Sequence, residues 1–142
     1  MTDIFSPEKR SEIMSLIRSK NTKGELIAFS HLRKQRIYFQ KHYDKIKGKP
    51  DIALPRRKKA VFIDGDFWHG KTLDRLVQRQ GQNSDYWIPK IKRNMERDVE
   101  TDSYLFERGW EILRVWERDL VTKRTRTEVL QRIEKFLSKE VL

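Results

Sequence analysis

The 142-residue chain has no cysteine. Disulfide bonds and cysteine-ligated zinc are therefore excluded, and the absence fits an intracellular protein. No apolar run approaches the ~20 residues that span a bilayer. The amino-terminal Met1-Thr2-Asp3-Ile4-Phe5 lacks the charged and apolar regions of a signal peptide. These absences predict a cytoplasmic, nucleoid-associated protein with no membrane partner. Repeats and low-complexity segments are also missing. Acidic residues are outnumbered, 21 against 32 Lys and Arg, for a formal net charge of +11. Such an excess favours polyanionic partners, above all nucleic acid, over a merely cationic soluble surface. Hydrophobic residues make up 37%, on the low side, yet a chain of 142 residues builds one domain with a real core.

What is present is organised around residues 49–70. Lys49-Pro50-Asp51-Ile52-Ala53-Leu54 and Ala60-Val61-Phe62-Ile63-Asp64 read as two apolar strands. Pro55-Arg56-Arg57-Lys58-Lys59 joins them, so a hairpin with a cationic tip is expected. Gly65-Asp66-Phe67-Trp68-His69-Gly70 follows. Three carboxylates (Asp51, Asp64, Asp66), a histidine and an aromatic pair thus gather at the hairpin's ends.

Taken in order, the chain opens with Ser6-Pro7-Glu8, a helix start with a capping hydroxyl and an early proline. That helix runs to about Arg18, with Ile13, Leu16 and Ile17 inward. Thr22 and Glu25 have the spacing of a capping box for a second helix, whose stripe is Leu26, Ile27, Phe29 and Leu32. Residues 37–43 alternate as a strand, and 44–49 form a cationic loop. Residues 65–84 read as a long functional loop. Asp85 to about Arg108 form the longest helix, with Pro89 in its first turn and Ile88, Ile91, Met95, Val99 and Phe106 inward. Gly109 ends it. Residues 110–116 are a further strand, and a last helix begins at Thr125 or Thr127. The order ααβββαβα predicts an α/β fold with a central mixed sheet flanked by helices.

Phosphodiester cleavage needs a nucleophilic water, neutralised charge at phosphorus and a proton for the leaving oxygen. Strand-end carboxylates can hold Mg²⁺, which takes one or two of them plus waters and substrate oxygens. Asp51 is the candidate anchor, with the Ile63 carbonyl or the Asp64 carboxylate completing the set. His69 can move protons near neutral pH. Phe67 and Trp68 on a glycine-flanked turn, and Trp87 at a helix start, can wedge between base steps. Each feature has an ordinary structural alternative: Asp64-Gly65 is a common turn dipeptide, Glu25 a helix cap, and the aromatics core residues. His31 and His42 have no comparable surroundings and receive no role. Together the residues point to a metal-dependent DNA-cutting site.

The same residues resemble those of the very-short-patch-repair (Vsr) mismatch endonucleases, which share the restriction-endonuclease-like core. The resemblance covers roughly residues 8–118. Its carriers are Arg10-Ser11 with Met14, Glu25, Gly48-Lys49-Pro50-Asp51, Gly65 with Phe67-Trp68-His69, Trp87 with Lys90-Ile91 and Asn94, Glu96-Arg97-Asp98, and Gly109-Trp110 with Val115-Trp116-Glu117. It implies Asp51 as principal Mg²⁺ ligand aided by the Ile63 carbonyl, His69 as catalytic histidine and Glu25 in support. Asp98 belongs to a wider pattern shared with homing-type nucleases. Phe67, Trp68 and Trp87 are the implied intercalating aromatics, and Met14 approaches from the other groove. Lys90 and Asn94 join the DNA-binding set, with Arg56 and Arg57 at the tip clamping the backbone.

The departures are specific. Family members carry a structural zinc held largely by cysteines, whereas Asp66 and Arg118 stand at two of those places, so no zinc is expected. Ile63-Asp64 replaces Thr-His, exchanging a second histidine for a carboxylate. The usual restriction-enzyme lysine after the acidic strand is missing. The expectation is one domain spanning 1–142: a DNA-contacting helix (1–20), a catalytic core (21–118) and a C-terminal helix (119–142). Its expected activity is Mg²⁺-dependent nicking of one strand of double-stranded DNA at or beside a G:T mismatch, by a monomer. The alternatives are a restriction-like or homing-type nuclease on matched DNA, and a non-catalytic module that binds distorted DNA.

Overall fold

The computed structural model describes residues 21–65 and 84–138, with the backbone alone for 84–87. The expected helix over 8–18 and most of the 65–84 loop lie outside those residues. Helix α1 (Lys23–Lys34) begins at Thr22, whose side chain accepts from the Glu25 N–H. Half of the predicted capping box is thus formed; the Glu25 carboxylate reaches back to the Asn21 N–H rather than to that of Thr22. Ala28, Phe29 and Leu32 are its buried apolar side chains, while Leu26 of the expected stripe is exposed.

Strands β1 (Gln40–Lys41), β2 (Ile52–Leu54), β3 (Lys59–Asp64) and β4 (Glu111–Trp116) form one sheet in the order β1-β2-β3-β4. β1–β2 and β2–β3 are antiparallel, and β3–β4 is parallel with Ile63 opposite Val115. The parallel pair requires a crossover, which is α2 (Ser84–Glu107). After β4 come α3 (Glu117–Val121) and α4 (Lys123–Ser138). The mixed sheet flanked by helices is as predicted. Every residue of β3 is buried, as a central strand covered on both faces should be.

One core packs α1, α3 and α4 against Ile52, Val61, Ile63 and Val115. A smaller one on the other face joins Ala60 and Phe62 to Leu105 and Trp110. Alternation along β3 assigns its residues to these two faces.

Several expectations are corrected. The strand expected over 37–43 shrinks to Gln40–Lys41, because His42 adopts a left-handed φ of 48°. The hairpin tip is tighter than a five-residue loop: Pro55–Arg57 form a 3₁₀ turn and Lys58 closes it at φ 54°. Lys59 is therefore the buried first residue of β3, and its Nζ donates to the Phe136 carbonyl at 2.5 Å. Arg57 donates to the Leu137 carbonyl at 3.2 Å. Both cations satisfy carbonyls left unpaired by the end of α4. Pro89 sits inside α2 rather than in its first turn. Of the predicted α2 stripe, Ile91 is buried, whereas Met95, Val99 and Phe106 are exposed; Thr101 and Leu105 face inward instead. The inner face is partly polar because it meets an arginine. The last helix starts at Lys123, after the separate α3.

The turn before β2 depends on Gly48, at φ +86°, where an added Cβ would lie 2.5 Å from Thr101 Cγ2 and 3.2 Å from the Phe62 ring. Both the backbone conformation and the contact disfavour a side chain. Gly48→Ala is expected to lower stability by about 1–3 kcal/mol. Urea unfolding checks this, and an unchanged midpoint would show that the loop relaxes freely.

Candidate active site

Glu25 is the third residue of α1 and is 6% exposed. Its Oε1 accepts from the Asn21 N–H at 3.1 Å, and its Oε2 from the Thr22 hydroxyl at 3.3 Å. The adjacent Gly24 N–H donates to Glu117 Oε1 at 3.1 Å, tying the start of α1 to the start of α3. Glu25 Oε1 also lies 2.5 Å from His42 Nε2. The His42 ring meets Phe29 edge-on, with centroids 5.5 Å apart.

Asp51 immediately precedes β2. Its Oδ2 accepts from the Ile63 N–H at 2.7 Å, beyond the last paired residues of the β2–β3 ladder. Its own carbonyl accepts from the His42 N–H at 2.9 Å. One side-chain donor atom from each of Glu25, His42 and Asp51 falls within 4.8 Å of the others. In an extended strand the N–H and C=O of one residue face the same edge, so the Ile63 carbonyl opens on the side of Asp51.

This donor set suits a hard divalent cation. Magnesium is held through one or two carboxylates together with waters and substrate oxygens. A carboxylate offers about four acceptor positions, so the Ile63 bond orients Asp51 without saturating it. Asp51, Glu25 and the Ile63 carbonyl are the residues that would hold the ion. The His42 nitrogen, already against Glu25, is better suited to the layer behind.

A second ionic cluster lies on the opposite face of the sheet. Asp64 follows Ile63, so strand alternation sends its side chain to the α2 side. There Arg114 of β4 donates Nη1 to both Asp64 oxygens at 3.0 and 3.1 Å. Its Nε and Nη2 bind Asp102 of α2 at 2.8–3.0 Å. Nη1 is also 3.6 Å from Asp98. The guanidinium lies over Phe62, 4.2 Å from the ring centroid. Burial works against its charge, yet the Asp102 hydrogen bond and the nearby Asp64 and Asp98 charges hold its pKa above the ordinary arginine value.

Of the residues predicted from sequence, Glu25, Asp51 and Ile63 come together. Asp64 and Asp98 also meet, but at Arg114 rather than in the Glu25–His42–Asp51 group. Lys90 and Asn94 lie half-buried on α2. Arg56 and Arg57 are exposed at the hairpin tip, where Arg57 bonds to α4. Met14, Phe67, Trp68 and His69 lie outside the described residues, as does the side chain of Trp87. His42, Asp102 and Arg114 are the residues that the sequence reading missed. The one available signal for His42 was its antiparallel return opposite Pro50-Asp51, which required the register of β1.

Residues 2–75 match the family model described as DNA mismatch endonuclease Vsr. A type II nicking enzyme of Neisseria meningitidis serogroup A, V.NmeAIP, is 38% identical over 133 residues, covering 94% of each chain. Another, V.HpaIIP of Haemophilus parainfluenzae, is 39% identical over 120 residues, 84% of this chain and 85% of that one. DNA mismatch endonuclease Vsr of Escherichia coli K12 is 31% identical over 136 residues, 92% of this chain and 86% of the relative.

Arg114 pairs with acids on two elements, so its loss leaves Asp64, Asp98 and Asp102 close together without the guanidinium between them. Arg114→Met is expected to destabilise the protein by about 3 kcal/mol. Asp64→Asn in that background should recover part of the loss, since one of the clustered charges is removed. Chemical unfolding of Arg114→Met, Asp64→Asn and the double variant tests both points, and additive penalties would show that Arg114 and Asp64 act independently.

Proposed function

Because the chain belongs to the Vsr family of DNA mismatch endonucleases, it is a DNA endonuclease of the nicking type, and we propose that it acts with Mg²⁺ on one strand at or beside a G:T mismatch. The observation that carries this reading is the convergence of Asp51 and Glu25, with the Ile63 backbone, at the open end of the β2–β3 hairpin. When bound, the divalent ion supplies charge neutralisation at phosphorus and a more acidic water. Asp51, Glu25 and the Ile63 carbonyl would hold it.

His69 is the proposed proton-transfer group, serving attacking water or leaving oxygen. Attack in line leaves a 5′-phosphate and a 3′-hydroxyl. The geometry favours a supporting role for Asp64 and Asp98: through Arg114 they brace the end of β3, which carries Ile63. Phe67, Trp68 and Trp87 are proposed to enter the duplex from one groove and Met14 from the other. Lys90, Asn94, Arg56 and Arg57 are proposed to contact the DNA backbone. Unstacking costs a few kcal/mol per step, and a mispaired step opens more cheaply, which gives a physical source of mismatch preference. A single domain acting as a monomer suffices for cutting one strand. No helix among the described residues is long and apolar enough to cross a membrane, and the proposed setting is the cytoplasmic nucleoid.

Action on matched DNA, as by a restriction-like or homing-type nuclease, is the second reading. End-labelled duplexes that differ by one G:T pair separate the two. The expected result is Mg²⁺-dependent nicking of one strand, faster on the mismatched duplex and reduced at least about 100-fold by Asp51→Ala. Equal rates on both duplexes would select the second reading. Cleavage that survives chelation, or that persists in Asp51→Ala, would remove the proposed metal site.

A further inference from the structure

We propose that His42 is a positioning residue of the nuclease site, locking the Glu25 carboxylate in register with Asp51; the inference rests on the metal-dependent reading above. Two links join this one residue to Glu25 and to the backbone of Asp51. Its ring nitrogen Nε2 lies 2.5 Å from Glu25 Oε1, and its backbone N–H donates to the Asp51 carbonyl at 2.9 Å. The next residue repeats the backbone link, with the Tyr43 N–H donating to the Pro50 carbonyl at 2.9 Å. His42 therefore belongs to the segment that fixes Asp51, while its side chain reaches across to α1.

The chemistry requires such a bridge. Glu25 accepts from the Asn21 N–H and the Thr22 hydroxyl, the pattern of an ionised acceptor. A donor role for Nε2 towards Oε1 matches a carboxylate that accepts on both oxygens. Two nearby carboxylates repel each other, and a donor on the inner oxygen of Glu25 keeps that side chain from swinging away. The ring itself is held edge-on by Phe29. Its backbone sits at φ 48°, a conformation uncommon for residues other than glycine. A position that takes a left-handed backbone and then spends its side chain on a buried acid is built for that contact. Being engaged with Glu25, His42 acts through it rather than on the ion.

Two substitutions separate positioning from bulk. His42→Asn keeps a residue type that tolerates the left-handed backbone, but its amide is too short to reach Glu25. His42→Gln retains a donor of about the reach of Nε2. Two readouts are taken on the full chain: the Mg²⁺ concentration giving half-maximal nicking, and Mn²⁺ affinity without DNA by electron paramagnetic resonance. His42→Asn should weaken both by about 10-fold or more, the range found for groups that orient metal ligands. His42→Gln should restore both, and His42→Asn should add nothing in a Glu25→Gln background.

Thermal unfolding confirms that each variant is folded. Unchanged metal dependence in folded His42→Asn overturns the inference, as does an undiminished effect in the Glu25→Gln background. Metal-independent nicking by the unsubstituted protein overturns the underlying reading instead, so the two failures are distinguishable.

Discussion

The hydrogen bond from the Ile63 N–H to Asp51 Oδ2 closes the hairpin where its backbone ladder ends. In place of one more cross-strand pair, a side chain satisfies the backbone donor. The exchange fixes the carboxylate against the most deeply buried strand of the sheet. It also leaves the Ile63 carbonyl on the same edge, because strand geometry turns both polar groups of a residue one way. An ion site at this edge requires no loop to fold around it. The burial of every β3 residue thus anchors the Asp51 side chain.

The same strand supplies the reason for two acidic clusters instead of one. Adjacent residues of a strand face opposite ways, so the backbone edge at Ile63 serves Asp51 while Asp64 turns towards α2. Had all the acids met at one point, their repulsion would have opposed folding in the absence of a cation. Arg114 removes that conflict on the α2 face, where its planar fork makes paired contacts with Asp64 and Asp102. The carboxylates on the α1 face keep the capacity to bind a cation. Acidic charge is divided between the two faces of the sheet, with an arginine-braced trio on one and the Glu25–His42–Asp51 group on the other.

Much of this was legible in the sequence. The hairpin announced itself through two apolar runs on either side of residues 55–59, and the start of α1 through Thr22 and Glu25. The cluster of Asp51 with residue 63 followed from the hairpin register. What was not legible depended on contacts distant in sequence. The α2 stripe was misread because periodicity alone counts Met95 and Val99 as inward, whereas the helix turns Asp98 and Asp102 to Arg114. Nothing local to a helix reports that the opposite strand carries a guanidinium. His42 was passed over because a histidine in an alternating segment looks like any strand residue. Its left-handed backbone and its pairing with a glutamate 17 positions earlier appear only in three dimensions.

The surplus of positive charge is also distributed in a way that composition hides. A net charge of +11 invites the view that every exposed lysine and arginine faces phosphate. At the hairpin tip, however, Lys59 and Arg57 close the carbonyl end of α4, and Lys58 donates to the Arg108 carbonyl just after α2. These cations answer the partial negative charge of helix C-termini, and they pin the sheet between helices on both faces. The tip is thus first a structural clasp, with Arg56 and Arg57 exposed on its surface. A nuclease must bring a polyanion up to its own carboxylates, and exposed cations act over only about a Debye length in physiological salt. Contacts close to the scissile phosphate therefore matter more than the total charge.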